Sequence, residues 1–203
     1  MTSGPTLQLV PGQGGDAELL NRVRRGETGA AAKLYDRFSP DINRVVWKLL
    51  GGDSDHNDLV HDIFIKVTSQ IGRVREPDKL ASWVVAVAVN TVYKEIRRRQ
   101  VRRVFVTNTA VPTEPATGGD DLEGRDLLRK TYQILEKIPP KERLAFTLRY
   151  LDERTLPDVA EMCGWSLATT KRRIERAKYQ FSRNAARDPE MAQRLGLAEK
   201  GTR

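Results

Sequence analysis

Cysteine, histidine and long apolar runs are what this 203-residue sequence has least of. Its single cysteine, Cys163, excludes an internal disulfide and suits a reducing compartment. The longest apolar run, residues 83–89, is far shorter than the about 20 residues that a transmembrane helix needs. Residues 1–15 have neither a basic start nor an apolar signal core, and their glycines and prolines predict a flexible leader. These features predict a cytoplasmic protein without membrane insertion.

Residues that could bind a metal or perform catalysis are equally scarce. The two histidines are His56 and His61, and they lack a third ligand at a suitable spacing, so we expect no metal site. The sequence has no nucleophile–base pair, glycine-rich phosphate loop or paired-carboxylate arrangement. We therefore predict that the protein is not an enzyme and uses no cofactor.

The charge of the chain is basic and unevenly distributed, with a net value of +8. Residues 1–105 carry 17 basic and 12 acidic side chains, a net charge of +5. Residues 106–124 carry none and four, a net of −4, and residues 125–203 carry 18 and 11, a net of +7. Two basic blocks on either side of an acidic strip favour two modules that face nucleic acid, although net charge alone is weak evidence.

Apolar residues recur at helical spacing in the first half of the chain. A first helix is predicted over residues 16–25, with Asp16 as its N-cap. A longer helix should open at Thr28 and be kinked or briefly broken at Ser39-Pro40. Its predicted apolar stripe is Ala31, Leu34, Phe38, Ile42, Val45 and Leu49.

Two further helices are predicted before residue 105. Asp55 and Asp58 form a predicted capping pair for the first of them. The segment 78–103 is ambiguous, because its β-branched valines favour a strand locally. Its arginine-rich continuation contains no turn signal, and we therefore predict one long helix. Trp83 within it could pack in the core or offer a stacking surface.

The overall prediction is an all-α protein of two helical domains joined by a flexible linker. Residues 16–105 form the predicted first domain, and residues 106–122, rich in threonine, proline and glycine, form the linker. Residues 123–186 form the second domain, in which Pro139-Pro140 ends one helix and starts another. Residues 187–203 are a tail that could be a short helix or disordered.

The second domain contains the signature of a helix-turn-helix. Thr155 can cap a helix, Gly164 suits the left-handed conformation that ends it, and Ser166 can cap a second helix. This layout is typical of proteins that place the second helix in the major groove of DNA. Its predicted packing side is Leu167, Thr170, Ile174, Ala177 and Phe181. Its predicted exposed side is Lys171, Arg172, Arg173, Glu175, Arg176 and Lys178.

Residues 135–178 resemble the C-terminal promoter-binding domain of extracytoplasmic-function sigma factors. The matching residues are Ile138-Pro139, Arg143, Val159-Ala160, Gly164, Ser166, Thr169-Thr170-Lys171 and Arg176-Ala177. The resemblance implies that the second helix reads the upstream, minus-thirty-five promoter element. The residues implied in this contact are Ser166, Thr169, Lys171, Arg172, Arg173, Glu175 and Arg176.

Residues 58–67 and 80–99 resemble the most diagnostic stretch of the same family. The matching residues are Asp58-Leu59-Val60, Phe64, Val67, Trp83, Ala88-Val89-Asn90 and Arg97-Arg98. The resemblance implies that the first of these helices binds RNA polymerase through Asp58, His61, Asp62 and Lys66. It also implies that the downstream, minus-ten element is held and opened by Arg73, Arg75, Lys79, Asn90, Arg97, Arg98, Arg99, Arg102 and Arg103.

The function implied is that of a transcription initiation factor whose partners are core RNA polymerase, promoter DNA and an anti-sigma factor. One alternative is a helix-turn-helix regulator that dimerises through its N-terminal bundle and binds palindromic sites without polymerase. Another is a polymerase-binding adaptor with no promoter preference of its own. The order of the elements, with a docking helix and an arginine-rich helix before the linker, favours the initiation factor.

Overall fold

The structure is a computed structural model, and it describes residues 15–52, 55–105 and 122–197. Within these ranges the regular structure is helical throughout and contains no strand. The predicted all-α fold is therefore confirmed. Nearly all of the predicted leader, the predicted linker over 106–121 and the end of the predicted tail lie outside the described residues.

The N-terminal unit comprises the helices before the predicted linker. They are α1 (Gly15–Arg24), α2 (Ala30–Leu50), α3 (His56–Gln70) and α4 (Leu80–Phe105). Two short 3-10 turns, Ile71–Arg73 and Pro77–Lys79, connect α3 to α4. The ambiguous segment is thus one long helix, because its valines fill the interior of a helical bundle rather than the face of a sheet. Trp83 packs against this core and is partly buried.

The C-terminal unit comprises the helices after the predicted linker. They are α5 (Leu122–Glu136), α6 (Pro140–Phe146), α7 (Leu156–Cys163), α8 (Leu167–Ala185) and α9 (Pro189–Arg194). A π-helical turn, Thr147–Leu151, extends α6. Helix α9 falls within the segment predicted as a tail, and its Met191 is buried against α5 and α8 residues of the C-terminal core.

Helix α2 differs from the prediction in three respects. The helix begins at Ala30 after Gly29, not at Thr28, and it runs unbroken through Pro40. Ala31 is exposed, whereas Ala30 takes the buried place on the apolar stripe. The rest of the predicted stripe is buried: Leu34, Phe38, Ile42, Val45 and Leu49.

The predicted helix caps are absent from the N-terminal unit and present in the C-terminal unit. Asp55 precedes α3 but makes no side-chain capping hydrogen bond, and Asp16 lies inside the first turn of α1. Thr155, by contrast, forms a capping box with Asp158. The hydroxyl of Ser166 accepts a hydrogen bond from the backbone N–H of Thr169 at 3.2 Å. The predicted caps are thus present at the start of both helices of the helix-turn-helix.

The two units pack directly on each other. One apolar cluster joins residues of α2, α3 and α4 with Leu144, Leu148, Val159 and Met162 of the C-terminal unit. A second cluster lies wholly within the C-terminal unit and joins α5, α6, α8 and α9. The sequence predicts two helical domains, but not this shared core between them.

Candidate nucleic-acid interface

Helices α7 and α8 form the predicted helix-turn-helix. Gly164 ends α7 in the left-handed conformation, with φ 65° and ψ 36°, and the chain turns sharply there into α8. Ser166 then caps α8 and holds its first turn. Thr170 is buried, and its hydroxyl donates to the carbonyl of Ser166 at 3.0 Å. The first turn of α8 is therefore held by the hydrogen bonds that Ser166 and Thr170 make.

The exposed face of α8 is largely as predicted. Exposed positions recur at three- and four-residue spacing along it and carry Lys171, Arg172, Glu175, Arg176 and Lys178. Leu167 differs from the prediction, because it is 52% exposed instead of packed. It stands at the first position of the helix, directly after the Ser166 cap and outside the stripe that faces the core. The remaining predicted packing residues of α8 are buried.

Arg173 lies between the exposed and buried faces of α8. Its guanidinium stacks over the Trp165 ring at 5.0 Å, and its Nη1 donates to Glu142 Oε1 at 2.9 Å. Only 20% of its side chain is exposed. The structure thus ties Arg173 to α6 and to the turn, and separates it from the other predicted base-reading residues.

One exposed aromatic on α8 escaped the sequence prediction. Tyr179 is 66% exposed and lies at three-, four- and seven-residue spacing from Arg176, Glu175 and Arg172. This spacing, readable from the sequence, places it on the same face of the helix. A tyrosine hydroxyl is a common donor to DNA phosphates, so Tyr179 extends the chemistry of the basic face.

A second basic surface follows α4 and the segment before it. Its exposed members are Arg73, Arg75, Lys79, Asn90, Lys94, Arg97, Arg98 and Arg102. Lys79 and Arg97 are 18 residues apart, which corresponds to about 27 Å along a helix. The side chain of Arg103 lies outside the described ones, and Arg99 is only 29% exposed.

Glu95 binds two of the predicted DNA-contacting arginines. Its carboxylate lies 2.7 Å from the Nε atoms of both Arg98 and Arg99, and Arg99 also pairs with Asp55 at 3.3 Å. Burial opposes ionisation of Glu95, but the hydrogen bonds from Arg98 and Arg99 outweigh it, and its pKa is lowered. The sequence analysis did not identify Glu95, although the spacing to Arg98 and Arg99 is that of helical ion pairs.

The predicted polymerase-binding residues share one face of α3. Asp58, His61 and Asp62 are exposed, and Lys66 is half-buried. Ile65 lies between them and is 52% exposed. An apolar side chain surrounded by polar ones is typical of the centre of a protein interface. Ile65 follows Asp58 by seven residues, a spacing that could have identified it from the sequence.

The α3 face and the α4 basic surface meet in one groove. Its α3 side contains Asp55, Asp58, Leu59, Asp62 and Lys66, and its α4 side contains Thr91, Lys94, Glu95, Arg98 and Arg99. The sequence analysis assigned these two sides to different partners, polymerase and DNA. In the folded chain, acidic and basic side chains from both predicted sites are neighbours.

The part of the chain that the structure describes offers little for metal binding, membrane insertion or thiol reactivity. No cluster of three or more potential metal ligands occurs there, and no described helix is long and apolar enough to cross a membrane. Burial raises the pKa of the Cys163 thiol to about 12. Cys163 therefore remains a protonated packing residue near neutral pH.

Two family models match the chain, one over each helical unit. The model described as Sigma-70 region 2 matches residues 34–102, and the model described as Sigma-70, region 4 matches residues 128–181. The first match contains α3 and most of α4, and the second contains the helix-turn-helix. Together the two matches span more than half of the 203 residues.

Individual relatives agree with these matches. The chain is 22% identical to the ECF (extracytoplasmic-function) RNA polymerase sigma factor SigW of Bacillus subtilis, over 78% of this chain and 90% of the relative. It is 26% identical to the RNA polymerase sigma-H factor of Pseudomonas aeruginosa, over 80% of this chain and 90% of that one.

The fold is also similar to a solved structure of the sigma factor RpoE in complex with the anti-sigma factor NepR from Bartonella quintana. The TM-score is 0.56 at 18% identity, over 79% of this chain and 99% of the other. This likeness concerns the fold, whereas the region 2 and region 4 matches concern the sequence. On these grounds the chain belongs to the sigma-70 family of RNA polymerase sigma factors, among its extracytoplasmic-function members.

Proposed function

We propose that this sigma factor binds core RNA polymerase through the exposed face of α3 and reads a promoter through α4 and α8. The observation that carries the proposal is that three exposed charged faces lie on three different helices. An acidic face with an exposed Ile65 at its centre lies on α3, and two basic faces lie on α4 and α8. A chain with one polymerase-binding face and two DNA-binding faces can select a start site.

The two DNA-binding faces differ in the contacts they offer. Arg172 and Arg176 project from a capped recognition helix, where arginine can bind guanine with two hydrogen bonds. The α4 surface is longer and carries arginines and lysines along a helix edge, which suits a phosphate backbone. We therefore assign upstream base recognition to α8 and downstream strand binding to α4 and to Arg73, Arg75 and Lys79.

The remaining partners and properties follow from the same proposal. The relatives are named as RNA polymerase sigma factors, and one similar structure contains an anti-sigma factor. We infer promoter DNA, core polymerase and an anti-sigma factor as partners of this chain, in the cytoplasm. The phosphodiester chemistry then belongs to the polymerase, and this chain contributes binding and no catalysis of its own.

The test is a binding titration of the tagged full-length chain against bacterial core RNA polymerase. The variant is Asp58→Lys/Asp62→Lys, and the control of equal charge change is Glu18→Lys/Asp36→Lys, two exposed acids on α1 and α2. Saturable binding that the α3 variant loses and the control keeps supports the proposal. Equal binding by the two variants would refute the α3 assignment, and no binding by the native chain would refute the function.

A further inference from the structure

One carboxylate on helix α4 binds two neighbouring arginines. Glu95 Oε2 lies 2.7 Å from Arg98 Nε, and Glu95 Oε1 lies 2.7 Å from Arg99 Nε. Only 10% of the Glu95 side chain is exposed, so the carboxylate is nine-tenths buried. Burial raises the pKa of Glu95, but the hydrogen bonds from Arg98 and Arg99 lower it by more, and the carboxylate stays ionised near neutral pH.

The two arginines differ in how exposed they are and in what else they bind. Arg99 donates from Nε to Glu95 and from Nη2 to Asp55 Oδ2, at 3.3 Å, and so ties α4 to the residue that precedes α3. Its side chain is 29% exposed, whereas that of Arg98 is 54% exposed. A guanidinium is planar, with its five N–H donors in a fixed geometry. Binding of Arg98 Nε by Glu95 therefore also fixes the direction of the Nη donors of an exposed side chain.

Ordinary surface ion pairs would not have this effect. Exposed pairs at three- and four-residue spacing are weak and leave long side chains free to move. Here one buried acid is shared by two arginines, so the loss of either contact leaves a buried charge with less compensation. Glu95 is also the only acidic residue in the sequence of α4. Its charge alone would weaken binding to phosphates, unless the orientation of Arg98 outweighs that repulsion.

We propose that Glu95 is a positioning residue, which orients the guanidinium of Arg98 to bind a DNA phosphate and confines Arg99 to a structural role. The inference rests on the proposed function, because it requires that α4 faces DNA. An arginine that is fixed before binding loses less side-chain freedom on contact with a phosphate, and it therefore binds more tightly. Arg98 and Arg99 are thus unequal, although the sequence analysis assigned both to the downstream element.

The test is a titration of the full-length chain against two fluorescently labelled duplexes of unrelated sequence, over a series of salt concentrations. A phosphate contact carries no sequence information, so the probes need not contain the promoter. The variants are Glu95→Ala, Arg98→Ala, Arg99→Ala and the double variant Glu95→Ala/Arg98→Ala. The control is Asp78→Ala, which removes an exposed acid next to Lys79 on the same basic surface. Thermal denaturation and helicity are measured for every variant.

The affinities are compared at the salt concentration at which Asp78→Ala binds like the native chain, because the loss of a negative charge is then screened. Glu95→Ala should weaken binding to both duplexes about two- to tenfold there, the effect of one side chain that is no longer fixed. Arg98→Ala should weaken binding to both duplexes and reduce the salt slope by about one. Glu95→Ala should have no further effect in the Arg98→Ala background, since it acts through that side chain. Arg99→Ala should lower Tm and change the affinity less than Arg98→Ala does.

Three results would overturn the proposal. Unchanged or stronger binding by Glu95→Ala at that salt concentration would mean that the carboxylate only repels DNA. A loss that persists in the Arg98→Ala background would mean that Glu95 acts through the helix as a whole. Equal effects of Arg98→Ala and Arg99→Ala on affinity would remove the difference between the two arginines.

A separate variant tests the proposed function on which this inference rests. Arg97→Ala/Arg102→Ala removes two other exposed cations of α4 and leaves Glu95 and its two partners intact. Weaker binding to both duplexes supports a DNA-facing α4. Unchanged binding by this variant would refute the assignment of α4 to DNA, whatever Glu95→Ala does.

Discussion

Gly51 offers the sharpest test of how the two units meet. Its backbone has φ 79° and ψ −168°, a region that is essentially restricted to glycine. A Cβ built there would lie 3.2 Å from Cγ and Cδ2 of Tyr132 and 3.3 Å from Cε2. The ring cannot retreat easily, because its hydroxyl is bound to the carbonyls of Trp47 and Lys48. Gly51→Ala should therefore strain both the backbone and the interface.

The stability that Gly51→Ala is expected to lose is the sum of two separate costs. The backbone conformation costs about 1–3 kcal/mol for a residue other than glycine. Forcing a methyl group against a fixed ring adds about 1–3 kcal/mol. The matched control is Gly164→Ala, whose φ of 65° and ψ of 36° are left-handed, with no atom within 4 Å of the added Cβ. Only a backbone cost of about 1–2 kcal/mol is expected there.

The assay is chemical and thermal denaturation of the full-length variants. For a chain of this size, 1 kcal/mol corresponds to about 2–4 °C in Tm. Gly51→Ala should lower Tm more than Gly164→Ala does, and the cost of Gly51→Ala should fall by the ring's share, about 1–3 kcal/mol, when Tyr132→Ala removes the ring. If Gly51→Ala costs as much in the Tyr132→Ala background as in the native chain, then the close approach of Tyr132 to Gly51 is wrong.

Three further predictions concern single side chains of the described surfaces. Arg172→Ala should weaken binding to the preferred upstream sequence by about 1–3 kcal/mol, measured by titration against matched and mismatched duplexes, and an equal loss on both would indicate a phosphate contact. Arg173→Ala should instead lower Tm, because Arg173 packs on Trp165; a normal Tm with lost DNA binding would contradict this. The pKa of Glu95 is lowered in the folded chain, so its ionic contribution is present above about pH 4.5 and is lost as the pH falls through the folded pKa. The stability difference between the native chain and Glu95→Gln should shrink on acidification, and a constant difference between pH 7 and pH 3 would exclude the pairing.

The sequence predicts the helices well where one apolar period dominates. The buried stripe of α2 and the caps at Thr155 and Ser166 follow from spacing and side-chain chemistry alone. The predictions are wrong where contacts with neighbouring helices determine the local structure. Ala30 rather than Ala31 is buried, because Ala30 continues the four-residue spacing of Leu34, Phe38 and Ile42. Pro40 does not break α2, since the helix is packed along its length by α3 and α4.

The contacts between the units could not be predicted from local patterns. Tyr132 and Lys48 are 84 residues apart in the chain, and Arg143 and Leu49 are 94 apart. Neither pair belongs to a periodic motif. The sequence predicts Arg143 only as a residue that carries the family resemblance, and it predicts no contact for it. Arg173 shows the same limit on a smaller scale. Its place among basic neighbours suggests DNA contact, but Glu142 and Trp165, brought close by the fold, hold it inside.

The groove between α3 and α4 makes the two proposed binding faces electrostatically dependent on each other. Asp58 and Asp62 line the same groove as Arg98 and Arg99, so reversing both acids adds four units of positive charge beside the downstream DNA face. If α3 binds polymerase and α4 binds DNA, this reversal should abolish polymerase binding. It should also raise the affinity for duplex DNA a few-fold at low salt. The gain should vanish at high salt, where exposed charges are screened. Fluorescence anisotropy with a labelled duplex at two salt concentrations measures it. A loss of DNA binding together with polymerase binding, in a variant of normal helicity, would mean that the groove is one composite site.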